Sequence, residues 1–437
     1  MTRLRVLAPL MVVALLAGAL TTTGVASAAR PAAQSLDGED VEVAAVWSGA
    51  EQKSFRAVLD AFEDRTGASV TYTSTGDDIA AVLTPRIAGG DAPDVAMLPQ
   101  PGLLSDFAAQ GVLQPIEDVA GPTVDENYAA IWRTLGSVGD TLYGVWFKAA
   151  NKSLWWYNAR VLKDAGVTTP QTFDELMTAV STVNDFGVKP LSVGGADGWT
   201  LTDQFENIYL ATAGPELYDQ LAAHEIPWTD PSVITALTTM GELLQPDLIA
   251  GGSDGALQTE FPASVSQVFT DPPDAAMVME GDFVAGVISD ETEATVGKQA
   301  KVFPYPPIEG DTAPVVSAGD VAVLMSDSDA GKALIEFLAT PEAATVWAKR
   351  GGFISPNSGV KPSAYPDKVI RSIAGEVIAA GDNLRFDLSD LQPAAFGATV
   401  GQGLWKAFQD FLANPSDVQG AAAAMEASAT QAYASES

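Results

Sequence analysis

The sequence predicts an α/β protein made of two lobes with a ligand cleft between them. Strand-like and helix-like segments alternate along residues 39–111, which is typical of a parallel sheet covered by helices. A strand-like aromatic run at residues 143–158, YGVWFKAANKSLWWYN, is interrupted by polar residues, as expected where backbone crosses a wet gap between two hydrophobic cores. The length of 437 residues allows two or three domains. An ordinary strand with a solvated edge remains the alternative for residues 143–158.

The first half of the chain has the order β-α-β-α-β-α. The predicted elements are a strand at 39–47, a helix that starts at the capping-box pattern Ser48-x-x-Glu51 and ends at Gly67, a strand at 70–73, a helix at 78–87, a strand within 89–99 and a helix at 102–110. Parallel strands in this order place their carboxyl ends, and the N-termini of the helices that follow, at one edge of the sheet. Backbone N–H groups at that edge are available to a ligand.

The second half continues the alternation of helices and strands. The predicted elements are a helix at the capping-box pattern Thr172-x-x-Glu175, a strand at 188–193, helices at 202–213 and 231–244, strands at 275–279 and 301–307, a strand at 315–325 that Gly319 and Asp320 interrupt, and helices at 330–338 and after Pro341. Prolines within 301–307 predict an edge strand, because proline cannot donate to a neighbouring strand.

Composition excludes several classes of function. The formal net charge of −33 disfavours binding to nucleic acid and to anionic membranes. The absence of cysteine excludes disulfides, thiolate metal sites and a cysteine nucleophile. A histidine-rich metal cage is excluded too, since His224 is the single histidine. We therefore predict no metal site and no cofactor.

The first residues have the pattern of an export signal. Arg3 and Arg5 precede an apolar stretch at residues 6–20, and Ala26-Ser27-Ala28 fits a cleavage site. The sequence therefore predicts a signal peptide over residues 1–28 and a product that is extracellular or associated with the cell envelope. An uncleaved membrane anchor is the alternative.

Candidate ligand-binding residues lie at predicted strand and segment ends, where open α/β sheets place their sites. They are Trp47, Ser48, Gly49, Asp78, Gln100, Lys148, Asn151, Trp199, Asp203, Glu280, Asp282, Phe283, Asp320, Asp387 and Asp390. Aromatic faces pack against the C–H face of a sugar ring, and carboxylates and amides bond its hydroxyls, so this mixture indicates a neutral polyhydroxyl ligand. Trp47 and Phe283 as ordinary core residues, and Asp387 and Asp390 as turn caps, remain open alternatives.

Three functions agree with these residues. The first is a non-enzymatic sugar receptor that closes around its ligand. The second is a secreted glycoside hydrolase that uses a carboxylate pair, for example Glu280 and Asp282. The third is a receptor for a cation or another polar solute.

Several stretches, in their order, resemble extracellular solute-binding proteins of carbohydrate ABC importers, the group that includes maltose-binding protein. The stretches are VWSGAEQKSFRAVLDAFEDRTG, GGDAPDVAMLPQPGLLSDFAAQG, YGVWFKAANKSLWWYN and ALIEFLATPEAATVWAKRGGFISPNSGV. More narrowly, the chain resembles the α-glucoside-binding subgroup. The stretches that carry this resemblance are GWTLTDQFENIYLATAGPELYDQLAAHEIPW, GGSDGALQTEF and RFDLSDLQPAAFG. The resemblance covers nearly the whole mature chain.

This resemblance implies a two-lobed, type II periplasmic-binding-protein-like fold. The lobes are expected at residues 39–147 with 317–352 and at residues 148–316 with 353–437, joined by crossings near Lys148, Val316 and Phe353. It further implies a sugar ligand, an α-glucoside or an oligosaccharide, that both lobes enclose in a closed form. The expected partner is the permease pair of an ABC importer, and the protein is expected to be monomeric and without enzymatic activity.

The chain departs from the subgroup at four places, one of which is the set of residues around Glu280 and Asp282. Ala275 and Ala276 stand where cysteines are expected, so the disulfide is absent. Asp77 and Asp78 replace an Arg-Asp pair, which bears on ligand specificity. The lipobox cysteine of many Gram-positive members is also missing.

Overall fold

The computed structural model describes residues 35–76, 78–308, 310, 313–380 and 384–436. Its strands are β1 (Asp40–Ala45), β2 (Ser69–Ser74), β3 (Val95–Leu98), β4 (Ser137–Val138), β5 (Thr141–Leu142), β6 (Gly144–Asn151), β7 (Leu154–Asn158), β8 (Lys189–Ser192), β9 (Ala275–Met279), β10 (Ala300–Pro304), β11 (Val316–Leu324) and β12 (Arg385–Phe386). The predicted signal peptide and Asp77 lie outside the described residues.

The helices connect and cover these strands. They are α1 (Gly49–Thr66), α2 (Ile79–Gly89), α3 (Pro101–Ala109), α4 (Glu117–Asn127), α5 (Ala130–Leu135), α6 (Ala159–Asp164), α7 (Phe173–Phe186), α8 (Trp199–Ala222), α9 (Pro231–Leu243), α10 (Gly252–Ala256), α11 (Phe261–Phe269), α12 (Val284–Glu291), α13 (Asp329–Leu338), α14 (Pro341–Ala348), α15 (Lys368–Ala380), α16 (Ala394–Gly397), α17 (Gly403–Ala413) and α18 (Val418–Glu436).

The first sheet confirms the predicted β-α-β-α-β order. Its strands follow the order β12-β11-β3-β1-β2, and β6 also pairs with β11. Strand β1 lies parallel to both β2 and β3, whereas β11 runs antiparallel to β3 and to β6. The predicted interruption of β11 is confirmed as a register shift between Asp320 and Val321. Such a bulge re-aims neighbouring side chains, here that of Asp320.

The second sheet has the order β10-β7-β9-β8. Strand β7 is antiparallel to β9 and β10, and β8 is parallel to β9. Strand β10 ends at Pro304 and lies at the edge, as its sequence predicts.

The aromatic run at residues 143–158 passes from one sheet to the other, which confirms the crossover. Strand β6 belongs to the first sheet and β7 to the second, and only Lys152 and Ser153 separate them. The start of β11 lies alongside, since Lys152 N–H donates to the carbonyl of Val316 and the Val316 N–H donates to Ser153 Oγ. Both connections therefore pass through one narrow region.

Strand β12 adjoins the same region by pairing with Val316 and Ser317 of β11. The buried members of the first hydrophobic cluster in this part of the chain run from Phe353 to Phe386, and those of the second begin at Leu388, although the half-buried Leu391 and Ala394 still pack against the first. The third crossing was predicted near Phe353. Because the first cluster also contains Trp156 of the second sheet, the clusters do not mark lobe boundaries, and the predicted division into lobes stays a prediction.

One predicted capping box is wrong and the other is confirmed. Ser48 holds the N-cap position of α1 in an extended conformation, but its side chain makes no capping bond. The carboxylate of Glu51 instead accepts a hydrogen bond from Lys148, which explains why it does not reach back to the helix end. At α7 the N–H of Glu175 donates to Thr172 Oγ1, so the second box caps its helix.

Candidate functional site

A cavity of about 920 Å³ lies between segments that adjoin the first sheet and helices that adjoin the second sheet. One wall comes from the segment after β1 and the start of α1, with Trp47, Ser48 and Gly49, together with Trp347 of α14. The opposite wall comes from the start of α8, the start of α11 and α12. A volume of this size is at the upper end of small-molecule sites.

Aromatic rings line both walls of the cavity. Trp199, Phe261 and Phe283 contact one another, with ring centroids 5.2 to 5.9 Å apart. Across from them, the rings of Trp47 and Trp347 meet edge to face at 4.8 Å. Flat apolar faces on two sides suit a ligand with extended apolar faces, such as pyranose rings.

Lys148 lies beneath the aromatic part of the walls. Its Nζ is 5.8 Å from the ring centroid of Trp47, 5.7 Å from that of Trp347 and 5.9 Å from that of Phe283. The side chain is only 7% exposed. These distances are those of cation–π contacts, and they involve rings from both walls.

Two carboxylates complete the surroundings of Lys148. Its Nζ lies 2.5 Å from Glu51 Oε1 and 3.8 Å from Asp320 Oδ2. Burial by itself lowers the pKa of Lys148, but the charges of Glu51 and Asp320 outweigh burial and leave this pKa raised. Burial raises the pKa of Asp320 to about 6, against the opposing charge of Lys148. The ammonium therefore stays charged at neutral pH.

Asn151 and Asp282 join the crossing strand to the second sheet. The Asn151 N–H donates to Asp282 Oδ1 at 2.8 Å, and the Asp282 N–H donates to the Asn151 carbonyl at 3.1 Å. Burial raises the pKa of Asp282 to about 7, although its bond from Asn151 acts in the opposite direction. Both side chains are buried, so this pair fixes backbone at the base of the cavity.

A second buried charge centre surrounds Lys152, four residues further along the chain. Lys152 Nζ lies 2.9 Å from Asp203 Oδ1 on α8 and 2.6 Å from Asp387 Oδ2 after β12. The same Nζ lies 5.3 Å from the ring centroid of Trp199, which lines the cavity. This centre thus ties the crossing strand to two other segments directly behind the aromatic wall.

More acidic groups surround this centre than one ammonium neutralises. Glu206 accepts hydrogen bonds from Tyr218 Oη and the Ser389 N–H. Burial, followed by like charges nearby, raises the pKa of Glu206 well above its ordinary value. The same causes raise the pKa values of Glu280 and Asp390 well above theirs. These raised pKa values favour the protonated, uncharged forms of the three carboxyl groups.

Asp203 and Asp387 differ although both bond Lys152. Burial raises the pKa of Asp203 to about 7, because the charge of Lys152 only partly offsets it. For Asp387, burial is outweighed by Lys152 and by the bond from Ser389 Oγ, which lower its pKa to about 2. Asp387 is therefore the permanent anion of the centre.

A family model for bacterial extracellular solute-binding proteins matches residues 47–345 of this chain. The chain belongs to this family. It is 35% identical over 390 residues to the osmoprotective compounds-binding protein GgtB of Synechocystis sp., covering 88% of this chain and 91% of the relative. It is 33% identical over 407 residues to the alpha-glucosides-binding periplasmic protein AglE of Rhizobium meliloti, covering 90% and 87%.

Solved structures show the same fold at lower sequence identity. A chitin oligosaccharide binding protein superposes with a TM-score of 0.77 at 21% identity, covering 90% of this chain and 99% of the other. A cyclic alpha-maltosyl-1,6-maltose binding protein from Arthrobacter globiformis superposes with a TM-score of 0.65 at 19% identity, covering 90% and 98%. The predicted family and the predicted two-lobed fold class are confirmed.

The structure places the predicted site residues in three groups of this solute-binding protein. Trp47, Ser48, Gly49, Trp199 and Phe283 line the cavity. Lys148, Asn151, Asp282 and Asp320 lie beneath it, and Gln100, Asp203, Glu280, Asp387 and Asp390 lie in or beside the Lys152 centre. Asp78 stands apart from them as the N-cap of α2, where it accepts a hydrogen bond from the Ala81 N–H. Their roles toward a ligand stay predictions.

Several residues of the site were not among those predicted. Glu51, Phe261, Trp347 and Arg350 line the cavity, and Lys152 holds the second charge centre. Lys152 belongs to the polar interruption of the crossing strand, so the sequence contained a signal for it. Phe261 stands directly before Pro262 at the start of α11, and Trp347 lies within α14. Only the fold brings these two side chains to the cavity.

One arrangement of carboxylates in the described part of the chain has the spacing of a metal site. Asp203, Glu206 and Asp387 each offer an oxygen, and these oxygens lie within 4.8 Å of one another. The ammonium of Lys152 already bonds two of the three groups, so the centre has its own cation.

None of the described helices is long and apolar enough to cross a membrane.

Proposed function

We propose that this protein is the substrate-binding component of an ABC importer, which captures a sugar outside the membrane and delivers it to the permease subunits. The ligand class that fits best is an α-glucoside or an oligosaccharide. The receptor acts as a monomer and without catalysis. The lobes close around the ligand, and the closed form is what the permease recognises.

The aromatic cavity is the observation that carries this proposal. Trp47 and Trp347 on one wall and Trp199, Phe261 and Phe283 on the other offer ring faces to a sugar from two sides. Polar groups lie between them, including Ser48 and Glu51. Aromatic faces together with a few polar groups that fix orientation are the usual composition of a carbohydrate site.

The relatives support the ligand class. GgtB is named for osmoprotective compounds and AglE for alpha-glucosides, and each matches nearly the whole length of this chain. The family description places its members outside the cell. We infer that residues 1–28 form the export signal, cleaved near Ala28, and mass spectrometry of the secreted product tests this cleavage site.

Calorimetry with matched disaccharides tests the proposal. Maltose and trehalose present α-linked glucose, and cellobiose presents the β-linked isomer of maltose. Saturable binding of an α-linked disaccharide, with weaker binding of cellobiose, is the expected result. A folded protein that binds none of these and no longer oligosaccharide contradicts the proposal.

A hydrolase built on Glu280 and Asp282 fits the structure less well than a receptor does. Their side chains are buried, and neither is among the described residues that line the cavity. Hydrolysis requires both carboxyl groups to flank a bound glycosidic bond. Incubation with α- and β-linked p-nitrophenyl glucosides tests this point, and turnover that Glu280→Gln abolishes would favour the enzyme.

A further inference from the structure

Lys148 occupies an aromatic box, which is a set of rings of the kind that binds alkylammonium ligands. Rings of Trp47, Trp347 and Phe283 surround its Nζ at 5.7 to 5.9 Å, and Glu51 bonds it directly. Aromatic rings with a nearby carboxylate are the recognition chemistry of quaternary ammonium groups. In this protein the cation inside the box belongs to the chain itself.

The box adjoins the ligand cavity. Trp47, Trp347, Phe283 and Glu51 all line the cavity, while the Lys148 side chain is 7% exposed and lies behind them. Removing the long side chain of Lys148 would thus extend the cavity into a pocket that has three rings and a carboxylate in its wall.

The charges that line the cavity attract cations. Its acidic lining residues are Glu51, Asp197, Glu260, Asp290, Glu291 and Asp367, and its basic ones are Lys53 and Arg350. A cleft lined mainly by one sign of charge raises the local concentration of oppositely charged solutes. A receptor for neutral sugars with such walls needs a feature that keeps cationic solutes from its aromatic faces.

We propose that Lys148 is a specificity-determining residue, which reserves the cavity for neutral ligands by filling an ammonium-binding subsite with its own ammonium group. This inference rests on the proposed function and adds the reason for its selectivity. A tethered group competes at a high effective concentration, so a free ammonium solute cannot displace it at ordinary concentrations. Specificity of this type is rejection built into the site.

The test measures binding of tetramethylammonium to Lys148→Met and to the unaltered protein by calorimetry. Methionine retains the length of the side chain without its charge and is flexible enough to move aside. We expect no saturable binding by the unaltered protein and saturable binding by Lys148→Met, at least tenfold tighter. Adding Glu51→Gln to Lys148→Met should remove most of that gain.

Lys53→Met is the matched control, because Lys53 lines the same cavity but its side chain is 73% exposed. It removes the same charge from the cavity, so a gain equal to that of Lys148→Met would reduce the effect to general electrostatics and overturn the proposal. A folded Lys148→Met that binds no tetramethylammonium would overturn it as well.

Two further outcomes, a failure of the variant to fold and a failure of the unaltered protein to bind sugar, have different meanings. Lys148→Gln replaces Lys148→Met if the latter does not fold, and failure of both to fold assigns Lys148 to fold stability and overturns the proposal. Sugar binding by the unaltered protein is measured in parallel. Its absence contradicts the proposed function alone, since the tetramethylammonium comparison does not require that any sugar binds.

Discussion

Gly286 and Gly352 meet backbone to backbone beside the cavity. A Cβ at position 352 would lie 3.2 Å from the Cα of Gly286, and one at position 286 would lie 3.9 Å from the Cα of Gly352. Gly286 belongs to α12, which follows strand β9 of the second sheet, and Gly352 follows α14, which packs against α1. The contact therefore joins the two walls. A Cβ at position 352 would press on Gly286, whereas position 286 has room for a Cβ but not for a longer side chain directed at Gly352.

Gly286→Leu should hold the two walls apart. Position 286 is helical, so leucine introduces no backbone strain, but its side chain must displace the turn at Gly352. A smaller closed population raises the apparent Kd for the sugar, here on the order of tenfold. X-ray scattering should show a larger radius of gyration in the presence of ligand, and calorimetry should show the weaker binding.

Gly375→Leu provides the control for the Gly286→Leu substitution. Gly375 also lies in a helix, α15, and a Cβ there would meet no atom within 4 Å. Its affinity and scattering profile should match those of the unaltered protein. If Gly286→Leu behaves in the same way, the contact between the two glycines does not limit closure.

Lys152→Met should destabilise the protein strongly. Without the ammonium, Asp203 and Asp387 lose their bonds at 2.9 and 2.6 Å and remain buried. Breaking a buried ion pair from one side costs about 3–5 kcal/mol of unfolding free energy. Urea denaturation measures this loss.

Lys406→Met is the comparison at the surface. Lys406 pairs with Asp410 one helical turn away, and both side chains are at least half exposed. We expect a change within about 0.5 kcal/mol, because exposed pairs contribute little. Equal losses for Lys406→Met and Lys152→Met would show that the Lys152 centre does not hold the crossing segments together.

Local patterns predicted the elements that position the site. The alternation of strand-like and helix-like segments predicted β1 and α1, and the polar interruption at Lys148 to Lys152 predicted a strand that passes between two sheets. The Gly319-Asp320 break predicted the bulge in β11. Each of these signals lies within one short segment, so it can be read without knowing the partner segments.

The surroundings of both lysines were not predictable from such patterns. The sequence predicts Glu51 as a capping residue, and only the packing of α1 against β6 brings it to Lys148. Lys152 bonds residues 51 and 235 positions away in sequence. Contacts at these separations depend on the complete fold. In a chain with 56 acidic residues, the sequence does not distinguish those that contact a lysine from those that face solvent.

The protein should be more stable at pH 5 than at pH 8. Burial raises the pKa of Asp203 and Asp282 to about 7 and that of Asp320 to about 6, from an ordinary value of 3.8. Between pH 4 and 7 the folded state therefore binds protons that the unfolded chain has released, so stability falls as pH rises through this window. Urea midpoints at pH 5, 6.5 and 8 measure the fall.

Asp387 acts in the opposite direction. Its pKa is lowered to about 2, so the stability it contributes is present above its ordinary pKa and is lost as pH falls through about 2. The two effects together place the optimum at mildly acidic pH.

Asp282→Asn separates one contribution to this pH dependence. The amide oxygen still accepts the bond from the Asn151 N–H, but the group no longer titrates. The loss of stability between pH 5 and 8 should shrink by on the order of 2 kcal/mol, since one unit of pKa shift corresponds to about 1.4 kcal/mol. An unchanged pH dependence would mean that Asp282 does not titrate in this window.

Trp199→Ala should weaken sugar binding with little loss of stability, whereas Trp47→Ala should impair both. Trp199 is half-buried at the first turn of α8, while Trp47 is 3% exposed and packs between Phe55 and Trp347. Truncating a buried tryptophan costs about 3–5 kcal/mol. Calorimetry and urea denaturation on both variants separate the loss of sugar affinity from the loss of stability.

Trp199→Phe retains a ring face and should recover most of the affinity. If Trp199→Ala binds sugar like the unaltered protein, this ring contributes no stacking surface and the ligand lies against the opposite wall.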